Sequence, residues 1–239
     1  MAEVCAPYDF VRLHHHDGAS VAAARNFCSR IAHDAELLVN VDDDVYVYPD
    51  AIERLVKTYE AADGWRVVAG SVNWGVDWSR PIVMRRIGWG RYARDGEKPD
   101  FLVGAFFAYP RALALSCPWI ETVRRYDDRL SGSFWKAKGV ELLFDPDARA
   151  EHDSQLHSYG AEFTRDHIYA NLFDALLADP SLKRLLYWET LGFLSGFKAY
   201  FRPGAAWTYV KGWVQGHILF ARHWPMLRAS VRTPLPPPG

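Results

Sequence analysis

The sequence predicts an α/β fold in which a mixed sheet is flanked by helices and followed by a helical C-terminal extension. Short apolar runs rich in β-branched and aromatic residues are typical of buried strands, and they lie at 37–41, 65–72, 101–109 and 140–144. Segments with helical spacing of apolar residues separate several of these runs, as in βαβ units. A long segment without strand patterns follows. We therefore predict a core of residues 1–160 and a helical, basic and aromatic extension of residues 161–239.

Composition and charge limit the class of protein. The chain has 239 residues, of which 49% are hydrophobic and 15% aromatic, which is typical of a folded chain and excludes a disordered one. From Lys183 onward there are eight Lys and Arg residues and one acid, Glu189, while the preceding part holds 20 basic and 28 acidic residues. The two parts therefore face different partners. We predict no nucleic-acid partner for either part.

The cysteines and the apolar runs bear on localisation. Cys5, Cys28 and Cys117 are odd in number and show no Cys-x-x-Cys or Cys/His spacing, which favours a reducing compartment. The sequence shows no signal peptide and no uncharged apolar run of about 18 residues. We therefore predict a cytoplasmic protein that does not span a membrane, with peripheral attachment to the inner face of the membrane as an open alternative.

The N-terminal segment contains one clear helix. Residues 10–13 are interpreted as a short strand and residues 17–18 as a turn. Apolar residues at helical spacing predict a helix over 20–32 with one buried face. The three adjacent histidines at 14–16 would point to alternating sides of an extended segment, so a shared metal is the less favoured interpretation.

The core is organised around the segment 36–55, where a strand ends in three carboxylates. The apolar run 37–41 is followed directly by Asp42, Asp43 and Asp44. Ligands bind outside the carboxyl ends of strands in open α/β sheets, and crowded carboxylates are usually tolerated because a cation neutralises them. A solvated acidic turn is the alternative. The position after a buried strand favours the metal site.

A helix is predicted directly after this turn. Asp50 with Glu53 three residues later is an N-cap signature, and Gly64 is a stop signal. The segment 73–100 then lacks periodicity and is predicted to be a long loop that is either functional or mobile. Its aromatic and basic residues would suit sugar stacking and anion contacts, or simply pack the loop; they are Trp74, Trp78, Arg85, Arg86, Trp89 and Arg91.

Five segments in order carry a resemblance to a known family. They are GASVAAARN at 18–26, ELLVNVDDDVYVYPDAIERL at 36–55, FLVGAFFAYPRALAL at 101–115, YDDRLSGSFWKAKG at 126–139 and VELLFDPDARAEHD at 140–153. This order resembles the nucleotide-sugar glycosyltransferases of the GT-A fold, specifically family 2. The resemblance covers roughly residues 10–155. It implies a GT-A-like, Rossmann-related sheet.

The resemblance also implies a donor and a metal. Asp42 and Asp44 match the D-x-D motif, in which Asp42 faces the ribose and the metal-bound waters and Asp44 ligates Mn²⁺ or Mg²⁺ directly. Arg25 and Asn26 match the family's Arg-Asn pair, which contributes to donor binding. His152 matches the histidine that completes the metal site in some members, with a surface-loop histidine as the alternative. The implied donor is a nucleotide-diphosphate sugar.

The general base departs from the family pattern. Inverting members use an acidic residue, often in a Glu-Asp pair, a few residues after the F-D-E turn, and the segment 130–139 contains no acid. The nearest carboxylates are Asp127 and Asp128, and Asp128 is the predicted base with Asp127 beside it.

A second departure concerns the donor pocket. Family members begin with a strand and loop that hold the nucleotide base, whereas the resemblance here begins just before the third strand. We therefore expect an incomplete pocket in these residues, with weak binding of free nucleotide.

The extension combines basic residues with tryptophans at 188, 207, 213 and 224. Such a composition suits an anionic membrane surface. The alternative is that these rings pack on the core or on a second copy in a homo-oligomer.

Three functions follow, in order of preference. The first is a metal-dependent, inverting glycosyltransferase that acts on an acceptor hydroxyl of a glycan, lipid or small molecule. The second is a non-catalytic or partner-completed GT-A remnant that serves as a binding or assembly module. The third is a phosphatase or phosphotransferase with Asp42 as nucleophile, disfavoured because Tyr46 stands where that motif needs Thr or Val.

Overall fold

The computed structural model describes residues 8–18, 20–75, 77–85, 88–153, 160–199 and 205–238. The strands are β1 Leu37–Val41, β2 Val45–Val47, β3 Arg66–Asn73, β4 Ile82–Met84, β5 Gly90–Tyr92, β6 Phe106–Pro110 and β7 Glu141–His152. The helices are α1 Val21–Ile31, α2 Ala51–Glu60, α3 Arg111–Ser116, α4 Asp127–Ala137, α5 Ala161–Phe173, α6 Leu182–Tyr187, α7 Phe193–Ala199 and α8 Ala205–Arg232. Two π-helical turns, Asp174–Ala178 and Trp188–Gly192, follow α5 and α6.

A five-stranded mixed sheet forms the centre, with the strand order β1-β6-β3-β7-β2. β6 is antiparallel to both β1 and β3, while β3 is parallel to β7. The strands β1, β3 and β7 therefore run in the same direction, and their carboxyl ends meet at one edge. The residues at these ends are Asp42, Trp74 and His152, so the sheet topology assembles the polar residues at a single edge.

The N-terminal segment contains the helix predicted over 20–32 but not the strand predicted over 10–13. Ser20 caps α1, because its hydroxyl oxygen accepts a hydrogen bond from the backbone N–H of Ala23 (3.1 Å). Residues 8–18 contain no strand, which corrects the prediction for 10–13. The His16 ring instead stacks on Phe27 of α1, with 4.7 Å between the ring centroids. Cys5 lies outside the described residues.

Two predictions around α2 meet different outcomes. The helix forms as predicted, but Asp50 makes no side-chain capping bond. Gly64 has a φ of 77°, the left-handed conformation that favours glycine. Gly64, the predicted stop signal, lies shortly after Glu60, the last residue of this helix.

The long loop predicted at 73–100 contains regular structure. The short strands β4 and β5 pair as an antiparallel hairpin within it. The following strand is shorter than the predicted 101–109: β6 begins at Phe106, because residues 104–105 form a turn and Phe101 instead bridges to Ile82.

The predicted strand 140–144 is much longer in the structure. β7 continues to His152 through an irregularity: Gly70 of β3 pairs with Asp145 and the next residue, Ser71, pairs with Arg149. If Asp42, Asp44 and His152 were to share one ion through the sheet alone, the strand that ends at Val41 would have to lie next to the strand that contains Phe144. The structure does not meet this condition, because β6 and β3 lie between β1 and β7.

The core contains residues from both sides of the predicted boundary at residue 160. One hydrophobic cluster combines Phe107 and Trp135 with Tyr169 of α5 and Phe220 of α8. The division at 160 stays a prediction, but the helices that follow it pack on the sheet domain.

Helix α8 approaches α5 closely. A Cβ atom on Gly212 would lie 2.4 Å from the Ala161 carbonyl oxygen, and one on Gly216 would lie 2.7 Å from the Arg165 carbonyl oxygen. Real Cβ atoms do not come that near to backbone, so these two positions require glycine. The extension is therefore fitted to the core along this helix pair.

The predicted fold class is confirmed: a mixed sheet is flanked by helices and followed by a helical C-terminal extension. None of the described helices combines the length and apolar character that a bilayer crossing needs.

Candidate active site

Arg25 of α1 is the centre of a polar cluster at the carboxyl edge of the sheet. Its buried guanidinium donates through Nε to Asn40 Oδ1 (3.0 Å) and through Nη1 to Asp127 Oδ2 (2.5 Å). Its Nη2 donates to Asp42 Oδ1 and to the Gly104 carbonyl oxygen, both at 2.9 Å. One cation therefore joins three segments that are distant in the sequence.

The end of β1 supplies two of these partners from one face. Asn40 and Asp42 are two residues apart, so an extended chain directs their side chains to the same side. The Asn40 amide nitrogen donates to Asp42 Oδ1 (3.1 Å) and to the Gly104 carbonyl oxygen (3.2 Å). The Arg25 guanidinium lies 4.6 Å from the Trp119 ring centroid, where a cation–π contact helps to stabilise it away from water.

The predicted catalytic pair forms the first turn of α4. Tyr126 precedes the helix with φ 61° and ψ 20°, an unfavourable conformation for a non-glycine residue of the kind that clusters at functional sites. Asp128 accepts hydrogen bonds from the backbone N–H groups of Arg129 (2.7 Å) and Gly104 (3.3 Å). A Cβ on Gly104 would lie 2.7 Å from the Asp128 Cβ. The turn before β6 can therefore approach Asp128 this closely only because residue 104 is glycine.

The electrostatics of this cluster favour one bound proton near neutral pH. Burial and the neighbouring Asp127 raise the pKa of Asp128 to about 7, against the opposing effect of Arg25 and two backbone N–H groups. Burial also raises the pKa of Asp127, while Arg25 lowers it. A single guanidinium cannot neutralise Asp42, Asp127 and Asp128 together, and the least compensated of them keeps its proton longest.

Asp44 and His152 form a second group at the same edge. His152 Nε2 lies 3.3 Å from Asp44 Oδ1, which fulfils the expectation that these two residues meet. The contact arises because Val45 of β2 pairs with His152 of β7, not because β1 neighbours β7. The Trp74 ring lies 4.0 Å from the His152 ring, between centroids, and the buried His152 Nδ1 makes no hydrogen bond.

The three predicted metal ligands do not converge. Across the described parts of the chain, no group of three His, Cys, Asp or Glu side chains is arranged to hold a metal ion. Asp42 is turned toward Arg25 and Asn40, whereas Asp44 faces His152. Asp44 and His152 alone fit a divalent cation that completes its coordination with diphosphate oxygens, since such ions often use few protein ligands.

Two predicted donor contacts are engaged within the protein. The Asn26 amide donates to the Trp119 carbonyl oxygen (3.0 Å) and to Glu121 Oε1 (2.7 Å), and its oxygen accepts from the Trp119 N–H (2.8 Å). Both ends of the amide are thus occupied in holding the 119–121 loop. Arg25 likewise directs its donors at protein oxygens, so it positions carboxylates instead of facing open space.

The tryptophans of the segment 73–100 lie in separate places, and Trp74 is the one that contacts His152. Trp78 packs under Arg149, whose guanidinium carbon lies 5.3 Å from its ring centroid. Trp89 stacks on His167 at 4.4 Å, beside an open cleft of about 520 Å³ that Tyr126 and Val103 also line. Tyr126 and Val103 directly precede Asp127 and Gly104, so the cleft opens next to the carboxyl cluster. Arg86 lies outside the described residues.

Sequence reasoning missed three residues that contact Arg25 in the polar cluster. Asn40 had a readable signal, because an amide inside the apolar run LLVNV needs a buried polar partner. The sequence carried no signal for the contacts of Gly104 and Trp119 with Arg25, because these contacts depend on which turn and which loop the fold brings to Arg25. Such contacts arise only from the tertiary fold.

No protein-family model and no curated protein matches this chain. Among solved structures, a similar one is the mannosyltransferase PcManGT from Pyrobaculum calidifontis in complex with GDP-Man and Mn²⁺. The identity is 16% and the TM-score 0.45, over 96% of this chain and 69% of that one. A likeness at this level assigns neither a family nor a role to any residue here.

Proposed function

We propose that this chain is a metal-dependent glycosyltransferase that moves a sugar from a nucleotide-diphosphate donor to an acceptor hydroxyl with inversion. The observation that carries the proposal is the carboxyl of Asp128, whose pKa is about 7, beside the Arg25 cluster at the carboxyl edge of the sheet. A general base works best when its pKa lies near the operating pH. Asp128 meets that requirement, whereas an ordinary aspartate is too weak a base.

In this proposal Asp128 accepts the proton of the acceptor hydroxyl as the new glycosidic bond forms. Arg25 and Asp127 are positioning residues: they hold the first turn of α4 against the end of β1. The proton arrives at an anionic group within a cluster that is already short of positive charge, so its uptake is favourable.

The Asp44 and His152 pair would hold Mn²⁺ or Mg²⁺. A divalent cation there would stabilise the negative charge that develops on the departing nucleoside diphosphate. The Trp74 ring packs against the His152 ring and helps to orient it so that Nε2 faces Asp44. In this proposal Asp42, which Arg25 and Asn40 hold in position, would contact the ribose of the donor.

The cleft beside Asp127 is the candidate acceptor site. Trp89, Tyr92 and Tyr126 among its lining residues supply rings that can pack against the apolar face of a sugar. Burial and the nearby Arg129 lower the pKa of His167 well below its usual value, so the wall of the cleft is uncharged at this position.

The test is nucleotide release from a panel of sugar nucleotides, with and without Mn²⁺, using the wild type and Asp128→Asn. We expect at least one donor to be consumed in a metal-dependent reaction that the variant loses. Failure with every donor in the presence of acceptor sugars and lipids would favour the non-catalytic remnant.

A further inference from the structure

We propose that the exposed face of α6 and α7 is a docking surface for an anionic lipid leaflet. This inference does not depend on the proposed reaction. Four leucines form this surface, which we call the leucine row: Leu182 (71% exposed), Leu186 (57%), Leu191 (45%) and Leu194 (60%).

The leucine row lies on one side of the helix because of the π-helical turn. Steps of three or four residues keep side chains on one face of an α-helix, but Leu186 and Leu191 are five residues apart. The π turn Trp188–Gly192 lies across this step, and its i→i+5 bonding accommodates one extra residue per turn. Leu191 therefore stays in line with the others.

The opposite side of the same helix is firmly packed. Trp188 is buried and donates from its indole nitrogen to the Arg85 carbonyl oxygen (3.2 Å). Phe193 lies 5.4 Å from Trp213 of α8, between ring centroids. The leucines point to solvent from a helix whose orientation is determined, so their exposure is not the result of a loosely placed segment.

The excess of basic side chains in the extension indicates the kind of partner. The described residues from 181 to 238 hold seven basic side chains and one acidic one, Glu189, which lies 3.1 Å from His217. The basic residues are Lys183, Arg184, Lys198, Lys211, Arg222, Arg228 and Arg232. Two exposed lysines flank the leucine row, because Lys183 follows Leu182 directly and Lys198 lies one turn after Leu194. Arg184 is instead paired with Asp179. Two copies of this surface would place like charges together, so an anionic partner is favoured over a second copy.

The side chains fit a lipid surface better than an acidic protein. Aliphatic residues that project from a convex helix can enter the acyl boundary, while Lys and Arg extend to the headgroups. On the neighbouring α8, Trp207 is 73% exposed, and Lys211 lies one turn further along. An exposed indole beside a lysine is typical of the membrane–water interface.

The experiment is vesicle co-sedimentation with phosphatidylcholine alone and with added phosphatidylglycerol. We expect the full chain to bind the anionic vesicles, and the binding to weaken as salt screens charges over about 8 Å at physiological ionic strength. The triple variant Leu182→Gln, Leu186→Gln and Leu194→Gln should bind at least about tenfold more weakly, since each substitution removes apolar surface that would be buried in the acyl boundary.

The matched control changes three exposed apolar residues of the core surface: Val21→Gln, Ile52→Gln and Leu115→Gln. It should bind like the wild type, and thermal unfolding should show both variants folded. Three results would overturn the proposal: no wild-type binding at low salt, equal losses in both variants, or a wild-type dimer in light scattering that the leucine variant dissociates.

Discussion

Two groups of polar residues share one edge of the sheet and differ in how complete they are. The Arg25 cluster is enclosed, and its guanidinium already bonds to Asn40, Asp42, Asp127 and Gly104. The Asp44 and His152 pair has one mutual contact at 3.3 Å, and Asp44 is about half exposed. The first group is built by the fold and suits proton transfer. The second has two side chains that could serve as ligands for a metal ion.

The largest effect should follow from Arg25→Met. Removing the cation leaves the largely buried Asp127 and the partly exposed Asp42 without their charge partner, and breaking a buried ion pair typically costs about 3–5 kcal/mol. Urea unfolding should show this loss at pH 8 and a smaller one at pH 5, because burial raises the pKa of Asp127 and Asp128 and their protonation relieves the repulsion. Arg30→Met, at an exposed position of the same helix, is the control. An equal loss for both variants would contradict the account of the cluster.

Asp128→Asn should separate activity from stability. We expect turnover to fall by about 10²–10⁴, the usual contribution of a general base. In the wild type the folded state holds a proton between about pH 4 and about pH 7 that the unfolded state has released. Stability therefore falls as pH rises through this window.

The asparagine variant lacks that penalty, so its free energy of unfolding should exceed that of the wild type at pH 8 and approach it at pH 4. The gain cannot exceed about 4 kcal/mol, the equivalent of the shift in the Asp128 pKa. Asp63→Asn, on an exposed turn, should change neither quantity. A destabilised Asp128→Asn at pH 8 would show that the carboxylate is well compensated.

Asn26→Ala tests whether the neighbour of Arg25 serves the loop or the donor. Three hydrogen bonds to the 119–121 loop are lost, which should cost about 1–3 kcal/mol of unfolding free energy. The KM for the donor should stay within a factor of about two. A large rise in KM with little loss of stability would restore Asn26 as a donor-binding residue.

Asp44→Asn should have the smallest effect on the fold. Asp44 is about half exposed, and an ion pair with such an exposed partner contributes about 0–1 kcal/mol, so chemical denaturation should barely distinguish the variant from the wild type. Stimulation of nucleotide release by Mn²⁺ should fall by about tenfold or more. Asp43→Asn in the same turn is the matched control and should retain the stimulation.

The same contrast explains what the sequence could predict. Strand β1, helix α1 and the meeting of Asp44 with His152 followed from local patterns and the family resemblance. The route to that meeting did not, because the pairing of β2 with the far end of β7 depends on an irregularity at Gly70 and Ser71 that no local signal marks. Asp42 and Asp44 were likewise assigned together, although the turn between β1 and β2 sends them to different partners.

The most direct test of the division between the Arg25 cluster and the Asp44 and His152 pair is Mn²⁺ binding in the presence of a nucleoside diphosphate. Electron paramagnetic resonance measures how much Mn²⁺ is bound. The probes are GDP and UDP, and the proteins are the wild type, Asp44→Asn, His152→Gln and Asp128→Asn. We predict that the first two variants lose bound Mn²⁺ while Asp128→Asn retains it. Loss of the ion in Asp128→Asn together with its retention in Asp44→Asn would place the metal in the Arg25 cluster and contradict the account.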